Sequence, residues 1–310
     1  MRATDFLERF PSAIGNTDLK VFLVGCDGQL GWELQRVIPP DQLIPVDLPA
    51  FDMTRKEQVM ETVQQVQPDV IVNAAAFTSV DKAEVEKDRA FAINAEGAGN
   101  IADAAKETGA RLIQISTDFV FDGTKTTPYQ SDDIPAPIGV YGAGKLEGEK
   151  RVIGILQEKA LIIRTAWLYS VHGVNFVKTM LRLMEAGKDV RVVCDQVGTP
   201  TWAATLARAV VAAVNKPDLS GIFHWTDAGV ASWFDFAVAI MDEALNQGIL
   251  AEKVQVLPVS SDEYHTVARR PSFCVLDKKE SYLQLEMPAL HWSAALKAMI
   301  ADFVSTKDVI

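Results

Sequence analysis

The feature that most limits what this chain can fold into is a short apolar run that empties into spaced glycines. Lys20-Val21-Phe22-Leu23-Val24 reads as a buried parallel strand. It leads into Gly25-Cys26-Asp27-Gly28-Gln29-Leu30-Gly31, and then into a helical pattern through Trp32, Leu34, Gln35 and Val37. Glycines permit a tight turn and close backbone approach, and a helix start offers unpaired N–H groups to a pyrophosphate. Gly25, Gly28 and Gly31 fall as G-x-x-G-x-x-G rather than G-x-G-x-x-G, so a strand-to-helix turn without ligand stays open as an alternative. A second strand, Leu43-Ile44-Pro45-Val46, ends in Asp47, where an acid is expected to bind an adenosine ribose. A carboxylate there accepts from the 2′-hydroxyl and repels a 2′-phosphate. That leans toward NADH over NADPH, while Arg55 and Lys56 pull the other way.

The same rhythm continues. Val59 to Val66 is an amphipathic helix, and Asp69-Val70-Ile71-Val72 is a strand leading into Asn73-Ala74-Ala75-Ala76. Small residues there let a cofactor lie against the backbone, although close helix–sheet packing asks for the same residues. A helix over about 90–108 carries Asn94, and the strand Arg111 to Ile115 ends in Ser116-Thr117-Asp118. Hydroxyls at the carboxyl end of a central strand stand where open α/β sheets bind ligands; elsewhere this triplet would cap a helix. The expected fold class is therefore α/β, a Rossmann-type doubly wound parallel sheet with a smaller α+β substrate-binding domain.

Beyond residue 160 the pattern is less regular. Strands are expected over 160–163, 190–193 and 221–225, and helices over 176–183, 205–214, 233–245 and 294–303. Residues 19–162 and about 190–222 are assigned to the nucleotide-binding domain, about 163–189 and 223–310 to the smaller one, and 1–18 to a leader. In that leader Phe6, Phe10 and Ile14 recur at helical spacing, which fits either a docking helix or a disordered end. Trp202, Trp225, Trp233 and Trp292 read as core of the smaller domain. Arg269 and Arg270 fit either a diphosphate clamp or a surface ion pair.

The chemistry concentrates at Tyr141 and Lys145, one helical turn apart in Val140-Tyr141-Gly142-Ala143-Gly144-Lys145. A free tyrosine titrates near about 10, and an ammonium one turn away is expected to lower that toward working pH for general acid/base catalysis. The pair also occurs by chance on solvated helices, so its neighbours decide its meaning.

Composition excludes several classes. A net charge of −11 argues against a general nucleic-acid binder, and no apolar run approaches membrane-spanning length. Cys26, Cys194 and Cys274 form no Cys-x-x-Cys and no even framework, and Asp5 and Glu8 interrupt what would be a signal-peptide core. The expectation is a cytoplasmic protein. His172, His224, His265 and His291 show no zinc spacing, so no metal ligand is assigned.

With these pieces in order the chain resembles the dTDP-4-dehydrorhamnose reductases of the extended short-chain dehydrogenase/reductase superfamily, from about Lys20 to Phe303. The resemblance rests on Gly28-Gln29-Leu30-Gly31, on Val72 to Thr78 followed by Val80-Asp81-Lys82-Ala83-Glu84, and on Ser116 to Gly123. Arg164-Thr165-Ala166-Trp167-Leu168-Tyr169, Asn175-Phe176, the Asp195–Thr201 segment, Ser232-Trp233 with Phe236-Ala237, and Arg270-Pro271 extend it. It implies NADPH or NADH as cofactor and a dTDP-linked 4-keto-6-deoxyhexose as substrate. Tyr141 would give the proton to the C4 oxygen, Lys145 would bond the nicotinamide ribose and tune Tyr141, and Thr117 would bond the reacting oxygen. Gln29 and Leu30 would meet the pyrophosphate, Asp47 the ribose, and Asp52 and Met53 the adenine. Ala76, Phe77 and Thr78 would line the cofactor groove. Val80, Thr117, Asp118 and Trp167 would touch the sugar nucleotide. Some relatives bind magnesium at a dimer interface, so magnesium and a homodimer are among its implications, with no ligand residue singled out. Phe119 departs from the tyrosine often found there, and the leader is unusual. Two other readings share these motifs: a nucleotide-sugar epimerase or dehydratase, and a non-catalytic regulatory subunit of the methionine adenosyltransferase type.

Overall fold

The computed structural model describes residues 7, 8, 10 and 14–307. Its main sheet is built from β1 (Val21–Val24), β2 (Leu43–Val46), β3 (Val70–Asn73), β4 (Arg111–Thr117), β5 (Leu161–Thr165) and β6 (Gly221–His224). All six run parallel, in the order β2-β1-β3-β4-β5-β6. The chain thus leaves β1 to one side, returns, and builds the rest on the other side. That reversal opens a crevice at the carboxyl ends of β1 and β3.

Alternation along the strands distributes side chains to two cores. Val21, Leu23, Val70, Val72, Ile113 and Ile163 face one layer with α1 (Gln29–Val37) and the helix over Ala203–Val214. Phe22, Val24, Ile71 and Leu112 face the other, with α2 (Lys56–Val66), α3 (Ala98–Thr108) and Val152 of α4 (Val140–Leu156). Burial on both faces explains the unbroken apolar runs of β1, β3 and β5. The first layer continues through α5 (Ala203–Val214), α6 (Trp233–Asn246) and α7 (Trp292–Lys307) into one apolar core. Short ladders stand apart from the main sheet: Leu168–Tyr169 with Thr201–Trp202, Val190–Val193 with Val256–Val259, and Val197–Gly198 with Ala231–Ser232.

The expected helix over about 90–108 is not continuous. Ala92–Gly97 is a π-helical turn between Lys87–Phe91 and α3. Inside it the Asn94 amide accepts from the Phe77 N–H at 2.8 Å and donates to the Phe77 carbonyl at 3.1 Å. The local widening brings Asn94 onto the loop after β3, and such bulges recur at functional sites.

Both ends of the described chain pack on the α1 side. Phe10 and Ile14 of the leader are buried in the first core and Leu7 packs against it, whereas Phe6 lies outside the described residues. The Gly15 amide donates to Asn215 at 2.9 Å. Arg36, in the last turn of α1, grips Asp302 of α7 through two bonds of 2.7 and 3.0 Å and also meets buried Glu33 at 3.1 Å. Among the described residues no helix is long and apolar enough to cross a membrane.

Asp227 joins the end of β6 to the start of α5. Its carboxyl accepts from the Trp202 N–H at 3.0 Å and pairs with the Thr205 hydroxyl at 2.6 Å. Burial raises its pKa to about 7, with the Thr205 bond opposing. The folded state therefore holds this proton where the unfolded chain has lost it, and stability falls as pH climbs from about 4 to about 7. Asp227→Asn copies the neutral acid, so its Tm is expected to match the parent near pH 4 and to exceed it progressively up to pH 8, measured by scanning fluorimetry.

Candidate active site

A cleft of about 880 Å³ runs along the carboxyl ends of β1, β3 and β4. Gly25, Gly28, Gln29, Leu30, Asp47, Asp52, Met53, Ala74, Ala75, Ala76, Thr78 and Val80 line it. So do Thr117, Asp118, Tyr141, Lys145 and Trp167. Gly31 stands outside the lining because it packs inward: a Cβ there would lie 2.1 Å from the Gly25 carbonyl oxygen. Phe77 is also outside the lining, its backbone bonded on both sides to Asn94.

At one end the glycine turn closes with the Gly25 amide on Val46 at 2.9 Å, and α1 begins at Gln29 with no side-chain cap and no acid in its first turn. Its first N–H groups are left for an anion. Asp47 is fixed at the tip of β2, accepting from the amides of Asp27 at 3.0 Å and Leu48 at 2.8 Å. Asp52 spends one carboxylate oxygen on Thr54, whose amide and hydroxyl donate at 2.9 and 2.7 Å. Met53 is buried, its carbonyl taken by Asn100 at 3.0 Å. Cys26, Asp27 and Asp47 bring ligand-type atoms within 4.8 Å of one another. The donor set does not suit magnesium, which demands oxygens in octahedral array, and burial and Asp27 hold the thiol up at about 11.

Deeper in the cleft, the Thr117 hydroxyl donates to Asp118 at 3.0 Å and accepts from the Phe119 amide at 3.2 Å. Phe119, lacking a hydroxyl, meets the Tyr141 ring edge-on at 5.6 Å. Asp118 is 2% exposed, its second carboxyl oxygen has no hydrogen-bond partner among the described residues, and burial raises its pKa to about 7. Tyr141 and Lys145 share a face of α4. Lys145, 5% exposed, donates to the Ile115 carbonyl at 2.7 Å. Burial lowers its pKa to about 8, opposed by the charge of Glu149.

Tyr141 differs from expectation. Its pKa is raised to about 12, by burial first and the charge of Asp118 second, against the lowering bond from Thr117. Desolvation outweighs the attraction of the ammonium, which is turned toward Ile115. The phenol is therefore firmly protonated at neutral pH.

Beneath Lys145, Glu149 takes a forked pair of bonds from Arg164 of β5, at 2.9 and 2.7 Å, and one from Ser116 of β4. Both charged partners are at most 2% exposed. His224 abuts Arg164 and is held neutral, at about 3, by burial and that guanidinium. At the far rim Arg270 pairs with Asp81 at 2.7 Å, so its ion-pair reading stands, yet it also lines the cleft.

The RmlD substrate binding domain model matches residues 19–305. The chain belongs to this family. It is 39% identical over 303 residues to the dTDP-4-dehydrorhamnose reductase of Salmonella typhimurium, covering 94% of this chain and 100% of the relative. With the enzyme of that name from Escherichia coli K12 it shares 40% over 300 residues, covering 93% and 99%. The crystal structure of the Bacillus anthracis dTDP-4-dehydrorhamnose reductase in complex with NADP superposes with a TM-score of 0.85 at 38% identity, covering 92% and 99%.

The cleft also has lining residues to which the sequence pattern gave no site role. Trp233, assigned to the core, lines the cleft, as do Arg89, Gly173, Val174 and Asn175. Asn175 donates to the Gln29 side chain at 3.0 Å, and His172 meets the Asp27 carbonyl at 2.9 Å while stacked on Trp32. The adjacent Asn175-Phe176 pair was visible as a motif, but its contact across 146 positions was not.

Removing one partner of a buried ion pair leaves the other uncompensated, at a cost of about 3–5 kcal/mol. Glu149→Gln is expected to lower unfolding free energy by about that amount in urea titrations. Glu147→Gln, at an exposed pair with Arg151, is expected to change it by under about 1 kcal/mol.

Proposed function

We propose that this chain reduces dTDP-4-dehydro-L-rhamnose (dTDP-6-deoxy-L-lyxo-4-hexulose) to dTDP-L-rhamnose with NADPH or NADH. The observation that carries the reading is one continuous cleft. The uncapped start of α1 and Asp47 lie at one end, and Thr117, Tyr141 and Lys145 converge within it. Curated relatives of nearly equal length are named for this reduction.

The bound nicotinamide supplies the hydride that goes to C4. The chain supplies position and a proton. The α1 N–H groups would hold the pyrophosphate, Asp47 would accept from the adenosine ribose, and the alanines after β3 would leave room for the cofactor against the backbone. Thr117 and Tyr141 hydrogen-bond the C4 carbonyl oxygen and polarise it. As that oxygen becomes an alkoxide, Tyr141 transfers its phenolic proton to it. Burial keeps the phenol protonated, so it enters the step with a proton to give. Lys145 then stabilises the phenolate from one turn away and bonds the nicotinamide ribose. Val80, Asp118 and Trp167 border the sugar nucleotide. Trp167 of the segment 163–189 and Trp233 and Arg270 of 223–310 close the cleft on that side, and 19–162 supplies the rest of that wall and most of the cofactor groove.

Tyr141→Phe removes the proton and little volume. Turnover is expected to fall by at least about 100-fold, followed as loss of reduced nicotinamide absorbance with freshly made 4-keto sugar, while NADPH binding stays unchanged. An epimerase or dehydratase would regenerate its cofactor and show no net oxidation, and a regulatory subunit would show no turnover at all. Asp47→Ala, which removes the acceptor for the 2′-hydroxyl, is expected to shift the kcat/KM ratio toward NADPH by about tenfold. An unchanged ratio would remove Asp47 from cofactor selection.

A further inference from the structure

Trp167 has a left-handed backbone, φ 45°, a costly conformation for a bulky aromatic residue. Three features hold it there. Its carbonyl accepts from the Thr201 amide at 3.1 Å. Its indole lies parallel to that of Trp233, with centroids 3.6 Å apart and an interplanar angle of 6°. Gly198 backs the same indole so closely that a Cβ would stand 2.6 Å from Cε2 and 2.7 Å from Nε1.

Gly198 and Trp233 are themselves coupled. The ladder Val197–Gly198 pairs with Ala231–Ser232, so Gly198 sits opposite Ala231, two positions before Trp233. Ser232 and Asp235 then close a capping box that fixes Trp233 as the first residue of α6, and Phe176 packs on its indole at 4.7 Å. Both tryptophans are half-buried, and both line the cleft that holds Thr117 and Tyr141. Strain of this kind persists only where its surroundings enforce it, and it gathers at ligand sites.

We propose that Gly198 and Trp233 are positioning residues for the sugar nucleotide. Clamped between them and Thr201, Trp167 is a pre-set wall that sugar-nucleotide binding need not order. Their contribution goes to sugar-nucleotide affinity and leaves the cofactor end of the cleft untouched. This rests on the reductase reading, in which Trp167 borders the substrate.

The test measures two affinities by calorimetry, for dTDP-L-rhamnose and for NADPH, in Gly198→Ala, Trp233→Ala and Trp233→Phe. Loss of the stacked partner is expected to weaken dTDP-L-rhamnose binding roughly three- to tenfold, with Trp233→Phe restoring most of it. NADPH affinity should stay within about twofold, and in a Trp167→Ala background Trp233→Ala should add less than about twofold. Parallel losses of both affinities would indicate a general structural role and overturn the proposal. So would unchanged sugar-nucleotide binding, or fully additive losses with Trp167→Ala. If the parent protein binds NADPH but not dTDP-L-rhamnose, the reductase reading itself falls. If the parent binds both and the variants match it, only this inference falls.

Discussion

The buried pair of Glu149 and Arg164 is the contact on which the arrangement of the site depends. Glu149 lies one turn beyond Lys145 on α4, Arg164 is on β5, and Ser116, which bonds the same carboxylate, directly precedes Thr117 on β4. The forked ion pair thus sets the helix carrying Tyr141 and Lys145 against β5, and the Ser116 bond to the same carboxylate sets it against the strand carrying Thr117. Apolar packing could bring these elements together, but it is not directional. A bidentate guanidinium–carboxylate pair fixes translation and rotation at once.

Around that frame the cleft has two differently built halves. The cofactor half is made from regular elements and the turns between them, with backbone amides as its main polar groups. The other half is made from short ladders and aromatic side chains, with strained backbone at Trp167. The π-helical turn joins them, since Asn94 holds Phe77 between the alanines after β3 and Val80. Burial sets the titration of the groups in between, and it keeps Tyr141 protonated more strongly than a neighbouring lysine would suggest.

Much of this was legible in the chain itself, for a physical reason. Strands buried on both faces are largely apolar, so β1, β3 and the start of β5 stand out, and a tight strand-to-helix turn with close backbone approach calls for glycine. Tyr141 and Lys145 declare themselves because helical periodicity alone places them together. What stayed hidden depends on contacts between distant positions. Nothing near Asn94 announces a π-turn, because its partner is the Phe77 backbone. Trp233 looks like any amphipathic-helix tryptophan until the Gly198 ladder is known. Tyr141 titrates above what its lysine neighbour predicts because periodicity reports neighbours along a helix and says nothing of the solvent lost around them.

The grip of Arg36 on Asp302 has a consequence for the order of synthesis. α1 is made long before both α5, which supplies most of its apolar cover, and Asp302 of α7, which pairs with its last turn. Domains that fold as they are made can settle early elements at once. Here the nascent β1–α1 unit stays uncovered until α5 is made and unpinned at its end until α7 follows, so a chain cut short before α7 lacks the ion pair that anchors α1 as well as α7 itself.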